Sequence, residues 1–221
     1  MYDVYMNTFE GFPDVSIRDI IVETESGISL APASLDLVGV EPYLYSIDER
    51  LTVLKEAIKP IEKEYDHILI DTPPSMGQFV LNGFIAADRI IINLDSGIFA
   101  QKGVESLRAI FDDIKEITGR RKNADMAIIT KTGNLHETKS PLQEIALIIR
   151  KMLNPGDDQE NIDREKETES LLSSFAGKTC PVPYDANIIK AQLKGIPISH
   201  LFPDSPAATA YENIAEIISV W

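Results

Sequence analysis

Short apolar runs alternate along the chain with longer segments in which apolar residues recur at helical spacing. The short runs predict five β-strands: Ile28–Ala31, His67–Asp71, Arg89–Leu94, Met126–Thr130 and Thr179–Pro183. Two of these runs, Ile68–Ile70 and Ile90–Ile92, are apolar at every position. That continuity is typical of strands covered on both faces of a parallel sheet.

The longer segments predict four helices: Asp48–Tyr65, Ala100–Thr118, Pro141–Leu153 and Ser205–Val220. Strands that alternate with helices are typical of βαβ units. The pattern therefore predicts an α/β fold with a mostly parallel sheet and helices on both faces. A length of 221 residues fits one domain, residues 1–221.

Composition narrows the class of protein. Hydrophobic residues make up 44% and charged residues 25%, which is ordinary for a globular chain, and no run reaches the ~18 apolar residues of a membrane span. The single cysteine, Cys180, excludes a disulfide framework and a paired-cysteine metal site. A cytoplasmic protein without a membrane segment or signal peptide is expected.

The net charge of the chain limits which partners it can bind. The net charge of −14 opposes general attraction to nucleic acid, so any DNA contact would need a local basic patch or a dimer surface that hides the acidic face. Residues 154–169 contain seven acidic and two basic residues. We interpret this segment as an acidic surface insertion, with a partner-binding segment as the alternative.

Candidate chemistry is expected where the strands end, because ligands bind beyond the carboxyl ends of an open parallel sheet. The predicted ends are Asp71–Pro74, Asn93–Ser96, Thr130–Lys131 and Pro183–Asp185. At the first, a strand delivers one carboxylate, Asp71, to the sheet edge, a geometry that suits a hydrated Mg²⁺. The alternative is an aspartate that only ends a strand and caps the next turn.

The wider context of Asp71 carries a family resemblance. The run HILIDTPPSMGQFVLNGFIAADRIIINLDSGIFAQKGVESL, residues 67–107, resembles the ParA/Soj/MinD group of P-loop ATPases. The resemblance includes DTPP at Asp71–Pro74, AAD at Ala86–Asp88 and FAxxG at Phe99–Gly103, and it extends loosely over most of the chain. It favours the chromosome- or plasmid-partition branch, because the last helix lacks the basic residues of a membrane-binding MinD helix.

The resemblance implies an ATP and Mg²⁺ site of the Walker B type. Asp71 would hold Mg²⁺ through water, and Thr72, Pro73 and Pro74 would form a switch that senses the γ-phosphate. The residues implied at the adenine are Pro183, Tyr184 and Asp185.

The resemblance also implies partners: a homodimer, and a ParB-like protein. Lys190 and Lys194 lie in a region where some family members contact DNA, although both lysines also fit an ordinary solvated helix face.

The sequence contains no motif for the phosphate-binding half of such a site. Family members begin with a strand and a loop of the form KGGxGKS/T, and nothing before Asp71 resembles it. The GKT at Gly177–Thr179 precedes a predicted strand instead of a helix, so it does not qualify. The resemblance therefore predicts an N-terminally truncated ATPase that retains Walker B and neither binds nor hydrolyses ATP alone. The alternatives are a non-catalytic interaction or regulatory module of the same fold and a related biosynthetic enzyme.

Overall fold

The computed structural model describes residues 1–73, 77–95, 109–117, 119, 123–132 and 176–221. The chain divides into a first unit, Met1–Asp88, and a second unit, Arg89–Trp221. Each is described by itself, and the single domain expected from the length stays a prediction. The predicted helix Pro141–Leu153, most of Ala100–Thr118 and the acidic segment 154–169 lie outside the described residues.

The first unit consists of short helices and one hairpin. Its elements are α1 (Tyr2–Met6), α2 (Ile17–Ile20), β1 (Val22–Glu23), β2 (Ser29–Leu30), a 3₁₀ helix (Leu35–Val40), α3 (Glu41–Leu44), α4 (Val53–Ile58) and α5 (Gln78–Ala86). The predicted helix Asp48–Tyr65 is thus reduced to α4, and Pro60, which has no N–H to donate, lies just beyond its end. The main core cluster of this unit comprises Tyr5, Met6, Val40, Leu44, Val53 and Leu54.

A buried asparagine joins two helices of this core. Asn82 in α5 is fully buried, and its amide donates to the carbonyl oxygens of Arg50 at 2.7 Å and Gln78 at 2.8 Å. Its Oδ1 accepts from the backbone N–H of Leu54 at 3.1 Å. Because a buried amide is costly when unpaired, these three bonds allow Asn82 to occupy the core and fix α5 against α4.

The prediction of a strand at Ile28–Ala31 is correct only in part. Ser29–Leu30 pairs antiparallel with Val22–Glu23, so it belongs to a two-residue hairpin instead of the parallel sheet. Gly27 has φ 77°, a left-handed conformation that glycine adopts without strain, and its N–H donates to the Thr24 carbonyl oxygen at 2.9 Å. The turn therefore folds the chain back locally.

The predicted buried strand His67–Asp71 is wrong. This run contains no strand; Ile68 is 39% exposed and Leu69 is 78% exposed, while Ile70 packs partly against the core. No backbone hydrogen bond joins it to another strand in the described part of the chain. An apolar run gains the ladder of hydrogen bonds that defines a strand only when a neighbouring backbone lies beside it.

The second unit contains the predicted parallel sheet. Three strands, β3 (Ile91–Asp95), β4 (Ala124–Thr132) and β5 (Ala176–Pro183), pair in the order β3-β4-β5, all parallel. They correspond to the last three predicted strands, with bounds shifted or extended by one to three residues. The α/β class with a parallel sheet and flanking helices is therefore confirmed.

The helices that pack on this sheet come mainly from the C-terminal part of the chain. They are α6 (Asn187–Lys194), α7 (Ile198–Leu201) and α8 (Pro206–Ile218), and residues 109–117 are also helical. Ser205 caps α8 by accepting from the Ala208 N–H at 3.2 Å, and Pro206 occupies the first turn, where its missing N–H costs nothing. Ala207 and Ile214 of α8 pack with Met126 and Val182 in one core cluster.

Candidate functional site

The carboxyl ends of β3, β4 and β5 meet at one edge of the sheet in the second unit, which we call the carboxyl edge. Asp95 lies in register with Thr130, and Thr132 with Pro183. The hydroxyl of Thr130 donates to the Leu94 carbonyl oxygen at 3.1 Å. The three strand ends predicted for this sheet therefore do lie side by side.

An ion pair crosses this edge. The ammonium group of Lys131 on β4 contacts the carboxylate of Asp95 on β3, and the two side chains are 62% and 53% exposed. An exposed pair of this kind contributes about 0–1 kcal/mol. Sequence reasoning named the strand ends without singling out this pair; the signal was opposite charges at the ends of two adjacent strands.

Lys131 also carries unusual backbone geometry. Its φ is 59°, the left-handed region that non-glycine residues rarely adopt, and the pairing of β4 with β5 shifts register between Ile129 and Thr132. Such strain costs on the order of 1–3 kcal/mol, is held in place by surrounding structure, and is concentrated at functional sites. The irregularity lies at the carboxyl edge.

The loop after β5 brings the predicted residues Pro183, Tyr184 and Asp185 to this edge. Pro183 ends the strand, and the Tyr184 N–H donates to the Thr132 carbonyl oxygen at 2.9 Å, which continues the β5–β4 pairing by one residue. The Tyr184 side chain is 39% exposed and is available for contact with a ligand.

Asp185 has one satisfied and one unsatisfied oxygen. Its Oδ1 accepts from the Asn187 N–H at 2.8 Å at the start of α6. Its Oδ2 is buried and has no hydrogen-bond partner among the described residues. A buried acceptor without a partner costs about 1–3 kcal/mol, so this oxygen would gain a donor if the Asp185 side chain turned towards a ligand at the edge.

Asp71, Thr72 and Pro73 are exposed in the first unit, and Pro74 lies outside the described residues. The segment passes closely over α5: a Cβ on Gly83 would lie 2.8 Å from Thr72 Cγ2 and 3.5 Å from Ile70 Cγ2. Glycine at position 83 therefore permits this approach.

Asp71 belongs to no cluster of three or more possible metal ligands among the described residues. Within the described ranges, no group of three or more His, Cys, Asp or Glu residues could hold a metal ion. Asp71 can supply one oxygen ligand to a hydrated Mg²⁺, which takes few protein ligands.

The predicted lysines lie on α6. Lys190 donates to Asn187 Oδ1 at 3.0 Å and lies 5.8 Å from the ring centroid of Phe202, and Lys194 occupies the last turn before Gly195. Both are exposed, as are Ile189 and Leu193 on the same helix. Among the helices of the described residues, none is long and apolar enough to cross a membrane.

The family model and the relatives found by comparison with known proteins point to the same family. A family model described as an AAA domain, AAA_31, matches residues 1–128. The chain is 36% identical over 104 residues to chromosome partitioning protein ParA of Myxococcus xanthus, covering 47% of this chain and 37% of that protein. It is 27% identical over 188 residues to chromosome-partitioning ATPase Soj of Treponema pallidum, covering 85% and 65%. An uncharacterized protein of Methanocaldococcus jannaschii is 26% identical over 200 residues, covering 90% and 69%. The chain thus spans 37% to 69% of the lengths of these relatives.

Solved structures agree in fold. An ATP complex of a Cyanothece McdA variant superposes with a TM-score of 0.70 at 18% identity, covering 98% of this chain and 74% of that one. Cobyrinic acid a,c-diamide synthase of Mycobacterium smegmatis with bound ADP and magnesium gives a TM-score of 0.54 at 28% identity, covering 67% and 57%.

Proposed function

Because the chain belongs to the AAA domain family AAA_31 and is a P-loop ATPase of the ParA/Soj/MinD type, we propose that it forms part of a partition ATPase that positions DNA or another cargo. Its proposed share of the nucleotide site is the adenine end and the Walker B carboxylate. The proposal includes action in the cytoplasm, as a homodimer and with a ParB-like partner.

The observation that carries this proposal is the unsatisfied Oδ2 of Asp185 at the carboxyl edge. Adenine carries an exocyclic amino group, and this oxygen would accept one N–H from it once the Asp185 side chain turns towards the ligand. The exposed ring of Tyr184 and the half-buried Pro183 beside it supply apolar surface for a planar base. The residues present therefore fit the base end of a nucleotide.

Asp71 has the proposed role of holding Mg²⁺ through water, in an intact site only, with Thr72, Pro73 and Pro74 as the switch. When bound, Mg²⁺ neutralises charge on the phosphates. What the chain itself contributes is one exposed carboxylate on a segment held against α5 at Gly83.

The 221 residues are proposed not to bind the phosphates of ATP and not to turn over ATP by themselves. Phosphates are held by backbone N–H groups of a glycine-rich loop at a helix N-terminus, and the 221 residues contain no KGGxGKS/T run. Without these contacts only the base contributes to binding.

The test compares adenosine with ATP on the purified chain. We expect no phosphate release above background and no micromolar binding of ATP with Mg²⁺. Any millimolar contact seen by ligand-observed NMR should be equal for adenosine and ATP and should disappear in Asp185→Asn, which places an amide donor against the amino group. Asp204→Asn, an exposed aspartate in the same unit, is the matched control.

Two results would overturn the proposal. Turnover that is lost in Asp71→Ala would show that the phosphate end is functional in this chain. ATP binding roughly a hundredfold tighter than adenosine, about 2.7 kcal/mol, would show the same for binding.

The DNA role of Lys190 and Lys194 is proposed for an intact dimer only. The net charge of −14 predicts that this chain alone gives no gel shift with duplex DNA. A shift that weakens steeply with salt and is lost in Lys190→Glu/Lys194→Glu would contradict that expectation.

A further inference from the structure

The first unit contains a cavity of about 550 Å³ between α1, α2 and α4. Its floor is made of buried aliphatic side chains, Val4, Ile17, Val53 and Ile61, which are 4–6% exposed. Half-buried Val15, Ile47 and Ala57 form its walls. The cavity therefore offers continuous apolar surface that the chain does not fill.

Polar side chains around the cavity already have partners. Asn7 donates to Asp14 Oδ1 at 2.9 Å, Thr8 to the Tyr5 carbonyl oxygen at 2.8 Å, and Ser16 to Asp19 Oδ2 at 2.7 Å. The guanidinium of Arg18 donates to the Pro60 carbonyl oxygen at 2.8 Å and pairs with Glu64. A polar ligand such as a nucleotide or sugar would find few free hydrogen-bonding groups, whereas apolar side chains would fit.

The charge that remains at the rim is negative. Glu49 and Glu56 line the cavity; Glu49 makes no ion pair within the described residues, and Glu56 has only an exposed contact with Lys59 at 3.3 Å. The unit as a whole has 16 acidic and five basic residues, a net charge of −11. An occupant would gain from positive charge beside its apolar anchors.

We infer that this acidic groove, defined by Val15, Ile47, Glu49, Glu56 and Ala57, docks a basic amphipathic helix of a partner protein. Apolar side chains at i and i+4 of that helix enter the cavity, and flanking Lys or Arg residues face Glu49 and Glu56. Helices bind apolar grooves in this way, with anchors at helical spacing that give affinity and flanking charges that give selectivity. The inference does not depend on nucleotide binding.

The probe is a labelled synthetic peptide with leucines at helical spacing and lysines elsewhere, followed by fluorescence anisotropy with the full chain. We expect Glu49→Lys/Glu56→Lys to weaken binding about tenfold or more. Glu10→Lys/Glu62→Lys makes the same change in net charge at exposed sites outside the groove and should weaken binding less than about threefold. These four positions are exposed, so the variants should fold, which thermal unfolding will check.

A second peptide separates apolar docking from simple charge attraction. Replacing its leucines with serine while keeping every lysine should abolish binding. Equal binding of the two peptides, or an equal loss in the two charge variants, overturns the inference. Failure of the leucine peptide to bind also overturns the inference. If light scattering then shows self-association that Glu49→Lys/Glu56→Lys abolishes, the groove binds a second copy of this chain instead of a partner helix.

Discussion

Two apolar runs with nearly the same composition have different structures in the two units. Ile90–Ile92 leads into β3, where Ile91 to Asp95 pairs residue by residue with β4. Ile68–Ile70 in the first unit has no strand partner among the described residues, and Leu69 is mostly exposed. The difference teaches that an apolar run specifies the capacity to form a strand, while a neighbouring backbone decides whether the strand forms.

The units also differ in charge. Residues 1–88 carry a net charge of −11, whereas residues 89–221, with 19 acidic and 16 basic residues, carry −3. The acidic unit contains the groove with an apolar floor and an acidic rim, and the nearly neutral unit contains the carboxyl edge. The proposed docking groove and the proposed Walker B carboxylate Asp71 thus lie in the acidic unit, and the proposed base-binding residues lie in the nearly neutral one.

The strongest test of the first contrast truncates one side chain from each unit. Met126→Ala on β4 removes a fully buried side chain, and we expect a loss of about 2–5 kcal/mol in the free energy of unfolding. Leu69→Ala should stay within about 0.5 kcal/mol because Leu69 is 78% exposed. Urea unfolding measures both, and a loss above about 2 kcal/mol for Leu69→Ala would show that this run is buried after all.

The core of the first unit can be tested at its buried amide. Asn82→Ala leaves the Leu54 N–H without a partner, and we expect a loss of roughly 1–3 kcal/mol in the free energy of unfolding. Asn213→Ala, at an exposed position of α8, is the matched control and should change little. Similar losses at the two sites in urea unfolding would contradict a structural role for Asn82.

The close contact between Thr72 and Gly83 of α5 predicts that a second substitution restores the stability lost in Gly83→Ala. Gly83→Ala gains helix propensity but pushes Cβ against Thr72 Cγ2, so we expect a net loss of about 1 kcal/mol. Thr72→Ser removes Cγ2, and Gly83→Ala/Thr72→Ser should recover wild-type stability or exceed it. A double variant as unstable as Gly83→Ala in thermal unfolding would place the clash elsewhere.

The smallest expected effect concerns pH. The hydroxyl and N–H of Ser16 donate to Asp19 and lower the pKa of that carboxyl from its ordinary value of 3.8. The associated stability is present above the unfolded pKa and is lost as pH falls through the lower folded pKa. In Ser16→Ala the pKa should move back towards 3.8, as an NMR titration of Asp19 would show; an unchanged value would mean that the capping bonds are not its cause.

The sequence predicted the second unit better than the first. Three of its apolar runs correspond to β3, β4 and β5, and the polar residues at their ends lie at one edge, because parallel strands necessarily present their carboxyl ends together. The first unit was less predictable, because its elements are only two to nine residues long, and packing decides such short elements more than propensity does. The unsatisfied oxygen of Asp185 and the strained backbone of Lys131 could not be predicted, because both depend on atoms that only the folded chain brings near.

By itself, the order of apolar and polar residues determined the α/β class, the three parallel strands and the family, because side-chain periodicity and motif spacing are local properties of the chain. Tertiary structure alone decided that Ile68–Ile70 pairs with no strand of the described residues, that Lys131 contacts Asp95, and that α1, α2 and α4 line an acidic groove. Those features depend on which distant segments come within contact distance, and hydrophobic periodicity does not encode that choice.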